Sequence, residues 1–177
     1  MASESKERKV VIAILLTSTL LTMLSIAGIL TGAYDLSLAP RGIYEPDGEF
    51  SDAQLQLEEA RATNPYRRPM AAANVVVSAL VLIGSFLLSW RRRLAQWWIQ
   101  HAVAAKLVWI AAYTASLVGH IKMSFVPLPL EQPDEALSKI VGSVILTGSF
   151  SALLHLAAAH RATRPDIRQF IETAGKT

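Results

Sequence analysis

At 177 residues the chain has the length of one ordinary domain, but 52% hydrophobic and 18% charged residues, with a mean hydropathy of +0.35, put it outside the composition of a soluble one. The absence of cysteine excludes a disulfide framework, thiolate chemistry, iron–sulfur clusters and cysteine-bound zinc. The net charge of +3 does not make a nucleic-acid face, because the Lys and Arg residues stand in short clusters beside apolar segments, where they set membrane orientation.

Crossing about 30 Å of hydrocarbon takes about 20 mostly apolar residues. Four segments reach that length: residues 10–33, 70–90, 97–119 and 140–159. The expected fold is therefore all-α, a single membrane domain forming a four-helix bundle. Loops at 34–69 and 120–139 and a tail at 160–177 connect and follow the spans.

The first span follows Lys6, Arg8 and Lys9, as the core of a signal peptide would. Its apolar run is longer than the usual ~7 to 15 residues, so it is expected to stay as an anchor. Ser18, Thr22 and Ser25 share one face, and Gly28 and Gly32 have the spacing that lets two helices approach closely.

The loop at 34–69 holds seven acidic residues against Arg41, Arg61, Arg67 and Arg68. It is too long for a simple connection and should carry structure. Turns are expected around Pro40, Gly42, Pro46 and Gly48, then a helix capped by Ser51, running to Ala62 and ended by Asn64-Pro65. A solvated cap over the bundle is the simpler role for it, and a docking element for a partner the sharper one.

In the second span Asn74, Ser78, Ser85 and Ser89 fall on one stripe. The turn after it, Arg91, Arg92 and Arg93, is the strongest positive cluster and by the positive-inside rule is cytoplasmic. The tails, with Lys6, Arg8 and Lys9 at one end and Arg161, Arg164, Arg168 and Lys176 at the other, join it on that side, giving an N-in, C-in topology. Arg67 and Arg68 oppose that assignment. Trp90, Trp97 and Trp98 read as an interfacial aromatic belt.

The third span carries Lys106 roughly 15 Å from Trp97, near the bilayer centre, while the four spans contain no Asp or Glu. A charge there costs at least ~2.5 to 3.5 kcal/mol. Three outcomes are open: the side chain snorkels to the arginine-rich interface, which is the simplest; it is neutral; or it binds a carboxylate or phosphate from a lipid, ligand or partner. Tyr113, seven residues on, shares its face and is a candidate partner. His101 in this span and His155 in the fourth stand at similar depth in an antiparallel pair and are candidate ligands for a b-type haem, against a plain role as hydrogen-bonded histidines.

The loop at 120–139 is expected to be extended around Pro127, Pro129 and Pro133, with the last helix starting near Asp134. In the fourth span Ser143, Thr147, Ser151 and His155 recur every four residues, a stripe that drifts by about 40° per step around a straight helix. Interhelical hydrogen bonds are the plain account of these polar positions; a polar cavity for a ligand, ion or head group is the other. Residues 166–173 read as a short amphipathic helix with Ile167, Phe170 and Ile171 on one side, against the membrane surface or the bundle.

No motif commits the chain to a chemistry. There is no paired carboxylate in the spans, no His-Glu-x-x-His, no P-loop and no Gly-x-Ser-x-Gly, and no metal site is expected. Four spans with a longer first loop resemble the layout of claudin-like and tetraspan proteins, but the paired cysteines of their loops are missing here. The leading expectation is a non-enzymatic accessory or scaffold subunit that contacts other membrane proteins or itself, in a bacterial inner membrane. A haem-binding electron-transfer subunit is the second. A small transporter, channel or lipid-binding protein using Lys106, with Asn74, Tyr113, Ser143, Thr147 and Ser151 as further contacts, is the third.

Overall fold

The computed structural model describes residues 2–37, 52–124 and 133–174, which form six helices and, among the described residues, no strand. They are α1 (Ala2–Ser37), α2 (Asp52–Thr63), α3 (Arg67–Ser89), α4 (Ala95–Ser124), α5 (Pro133–Ala162) and α6 (Pro165–Ala174). Four of them, α1, α3, α4 and α5, contain stretches long and apolar enough to cross a membrane. The turns expected at Pro40 to Gly48, the cap at Ser51 and the extended run through Pro127 and Pro129 lie outside the described residues.

These helices carry large apolar side chains on the outside and bury polar side chains, among apolar ones, within. Leu16, Met23, Leu30, Val76, Val108, Leu146, Phe150 and Leu153 are exposed, whereas Ser18, Ser25, Asn74, Ser78, Ser85, Lys106 and His155 are buried. Lipid accepts the first set, and the second finds partners only in the interior, so the pattern is that of an integral membrane protein.

α1 packs along α3, α3 on α4, α4 on α5, and α5 meets α1. Close approach of α1 to α3 follows from its glycines. A Cβ at Gly32 would stand 2.8 Å from Val75 Cγ2 and 2.9 Å from the Ala71 carbonyl, and one at Gly28 would collide with Ser78 Oγ. α3 and α4 run antiparallel and are joined by two indoles: Trp98 Nε1 donates to the Leu80 carbonyl and Trp109 Nε1 to the Met70 carbonyl, each at 2.8 Å. Trp98 thus faces inward and does not belong to the aromatic belt, because its N–H finds a carbonyl on the neighbouring helix; Trp90 and Trp97 remain exposed.

α3 ends in a Schellman motif. Arg91 N–H donates to Leu88 O and Arg92 N–H to Leu87 O, with Arg91 itself at φ 54°, where glycine is usual. The Arg91 guanidinium then lies 5.1 Å from the Phe170 ring centre. α6 buries Ile167 and Ile171 in the same apolar core as Val10 and Ile14 of α1, Leu88 of α3, Ile99 of α4 and Ala158 and Ala162 of α5. Of the two expectations for this helix, packing on its neighbours is the one realised.

At the opposite end α2 lies over α4 and α5. Ala60 is buried with Leu117, Ile121, Ile140 and Val144, and Leu57 packs beside them. Past its C-terminus Asn64 folds back, accepting from the Tyr66 N–H at 2.9 Å, and Thr63 Oγ1 meets His120 Nε2 at 3.0 Å. The loop helix is therefore fastened to α4.

Candidate functional site

Lys106 is 3% exposed. It does not snorkel, because its ammonium finds partners at its own depth. Nζ donates to Asn74 Oδ1 at 2.5 Å and to Ser78 Oγ at 2.9 Å, and sits 4.3 Å from the Trp109 ring centre. Ser78 Oγ donates in turn to Asn74 Oδ1 at 3.3 Å, and Asn74 Nδ2 donates to the Gly28 carbonyl at 3.0 Å. The amide orientation is fixed from both sides: its N–H must face a carbonyl on α1, so its oxygen faces the lysine.

This network ties α1, α3 and α4 together around one lysine. Hydrogen bonds to a charged group contribute about 1.5 to 3 kcal/mol each, so two of them are enough to offset an insertion cost of ~2.5 to 3.5 kcal/mol. The contact with the indole face adds on the order of 1 kcal/mol. An ammonium has three N–H donors and two are taken by neutral oxygens. Among the described residues no carboxylate forms an ion pair with it.

Lys106 lines a cavity of about 500 Å³. At the level of the lysine its walls are Gly28, Asn74, Trp109, Ser151 and His155; Ile110, Leu117, Leu24 and Val144 supply apolar surface. Tyr113 lines it further toward α2 and stacks on Trp109 with ring centres 5.1 Å apart, so it shares the cavity with Lys106 while the lysine bonds elsewhere. The α2 end is closed by Asp35, Glu58 and Arg61, of which Arg61 and Glu58 form an ion pair at 2.7 Å.

All four members of the α5 stripe line this cavity. Ser143 and Thr147 are exposed, Ser151 is half-buried and His155 is buried, the rotation a four-residue repeat imposes on a helix that turns every 3.6 residues. Ala27 and Thr31 of α1 also line the cavity and are exposed. The cavity thus opens sideways between α1 and α5, toward the apolar surroundings of the spans. Nearer α6 those two helices are joined through the shared apolar core.

His155 is 2% exposed; its Nδ1 bonds to the Ser151 carbonyl at 2.8 Å and its Nε2 has no partner. His101 is on an exposed face of α4, its ring 4.3 Å from that of Trp97 and its Nδ1 on the Trp97 carbonyl at 2.8 Å. The two histidines are not brought into one site, because His101 turns outward beside its own helix while His155 faces the cavity. Among the described residues no cluster of His, Asp and Glu suited to a metal ion occurs. Gly32 serves the α1–α3 contact and is not part of the cavity.

Several lining residues were not singled out from the sequence. Trp109 is three positions from Lys106, a spacing that puts both on one helix face and signals a cation–aromatic pair. Gly148 lets α5 approach α4, since a Cβ there would stand 2.6 Å from Thr114 Oγ1. Glu58 and Arg61 carry no local signal for the site, because only the docking of α2 brings them to it, beside Asp35 of α1. No protein-family model matches the chain, and neither the curated proteins nor the solved structures contain a match to it.

Proposed function

We propose that the chain is a non-enzymatic four-helix membrane bundle, with its termini and the arginine turn on the cytoplasmic side, that binds an anionic amphiphile at Lys106. The observation that carries this reading is a buried lysine, held by two neutral oxygens and no carboxylate, on the wall of a laterally open cavity. The third N–H of the ammonium has no oxygen partner among the described residues and can serve an anion. The apolar walls and the opening between α1 and α5 suit a ligand that arrives from the bilayer with an acyl or prenyl tail.

The test is to extract the tagged protein gently and identify the lipid that stays with it by mass spectrometry. One anionic lipid per chain, enriched on the order of tenfold over the bulk membrane and lost in Lys106→Met, is the expected result. Lipid in bulk proportions, unchanged by that substitution, sinks the proposal. Additional protein mass with no retained lipid favours the accessory-subunit reading instead. A haem held by His101 and His155 together has no support in the outward position of His101.

A further inference from the structure

We infer that a groove at the arginine-turn end of the bundle binds the phosphodiester headgroup of an anionic phospholipid from the leaflet on that side. The groove lies between the start of α4 and α6, has a volume of about 470 Å³ and shares no lining residue with the Lys106 cavity. Arg93, Trp97 and Gln100 line it from the α4 side, and Arg168, Ile171 and Glu172 from α6. Two contacts hold these walls together. Gln96 Nε2 donates to the Ala162 carbonyl at 3.1 Å, and the Arg91 guanidinium stands 5.1 Å from the Phe170 ring centre.

Both lining arginines are exposed, so a ligand can reach them. Glu172, the one acidic residue on the lining, accepts from Arg168 Nε at 3.0 Å. That bond braces the guanidinium and leaves its two terminal amino groups outside the ion pair. Two guanidiniums against one carboxylate make the groove a site for an anion, and the planar N–H pairs of arginine match the oxygens of a phosphate. The adjoining turn and helix ends add Arg91, Arg92, Arg161 and Arg164 against Asp166, which draws anions to this face.

The position of the groove favours a lipid as the source of that phosphate. Trp97 is 57% exposed and Leu94 is 68% exposed, and an indole and a leucine left open beside arginines mark the level at which hydrocarbon gives way to headgroups. A phosphate held there has its acyl chains directed along the open stripe of α4 that continues through Ala104 and Val108. A basic pocket between helices at this level is suited to an anionic headgroup.

The experiment titrates the detergent-solubilised full chain with dioleoyl phosphatidylglycerol or dioleoyl phosphatidylethanolamine, which share tails and a phosphodiester but differ in net charge, and reads bound lipid by native mass spectrometry. All proteins carry Lys106→Met, so that lipid in the other cavity does not enter the count. Phosphatidylglycerol should be preferred about fivefold, the effect of one charge beside a basic segment. Arg93→Gln with Arg168→Gln should weaken its binding about thirtyfold, the effect of two such residues. Arg92→Gln with Arg161→Gln removes the same charge from the same face outside the groove and should weaken it by about threefold or less. All four arginines are exposed and none belongs to the apolar core, so the variants keep the fold.

Equal losses in the two double variants show a general attraction of anions to this face and overturn the site. Equal retention of the two lipids overturns the selection for an anionic headgroup, with Glu172 then available to the ethanolamine ammonium. Displacement of phosphatidylglycerol by inorganic phosphate at equal concentration overturns the lipid assignment, because acyl chains along α4 should dominate such a competition.

Discussion

The bond between Asn74 and Lys106 should behave as a coupled pair. Asn74→Leu removes the acceptor at 2.5 Å from Nζ and the donor to Gly28 O, leaving a buried ammonium with Ser78 Oγ alone. Loss of one hydrogen bond to a charged group destabilises by about 1.5 to 3 kcal/mol, and the severed tie to α1 adds roughly 0.6 kcal/mol. Lys106→Met costs less, roughly 1 kcal/mol or under, because Asn74 Oδ1 still accepts from Ser78 Oγ and the charge itself is gone. With both changes no buried charge is left without a partner. The double variant should accordingly be less destabilised than the sum of the singles by about 1.5 to 3 kcal/mol. Equilibrium unfolding of the four proteins in mixed dodecyl sulfate micelles, followed by helical circular dichroism, measures the difference. Additivity to within about 0.5 kcal/mol would show that the lysine is not held by Asn74, and the network described here would be wrong.

Gly32→Ala should destabilise by about 1 to 3 kcal/mol, because its Cβ meets the Ala71 backbone, whereas Gly119→Ala, which meets nothing within 4 Å, should be neutral or gain up to about 1 kcal/mol from helix propensity; the same unfolding assay compares them. Arg91→Gly and Arg91→Ala both lose the Phe170 contact, but only glycine relaxes the positive φ, so the glycine variant should be the more stable of the two by about 1 kcal/mol. The chain has no cysteine, which makes single-cysteine labelling clean. For the proposed topology, cysteines at Arg92 and Thr173 should react with an impermeant maleimide only after the membrane is opened, and cysteines at Glu59 and Glu135 before it. The opposite pattern inverts the orientation.

Span existence was legible because lipid leaves a helix no alternative: a run of about 20 apolar residues has its backbone satisfied internally and its side chains accepted outside. Helix ends were less so. α4 continues to Ser124, because polar residues beyond the hydrocarbon extend a helix without registering as hydropathy, whereas α5 begins at Pro133, one residue from the start expected at Asp134. α2 was readable from turn residues and from Asn64-Pro65, yet its docking was not; Leu57 and Ala60 are too few to announce a packed face, and their burial depends on Leu117 and Ile140, some 60 and 80 residues away.

The candidate site shows why composition alone misjudged the lysine. Asn74 and Ser78 were visible as one polar stripe and Lys106 as a charge at mid-span, but a stripe says which residues share a face, not which helix that face meets. Once α3 runs antiparallel to α4, pinned by Trp98 on Leu80 and Trp109 on Met70, the depth of Lys106 falls between those two points and its partners can only come from the α3 residues between them, among which Asn74 and Ser78 are the polar pair facing inward. The same reasoning separates the histidines. Depth along the spans made His101 and His155 equivalent, whereas rotation about the helix axis decides exposure, and it turns one toward the apolar surroundings and the other onto the cavity.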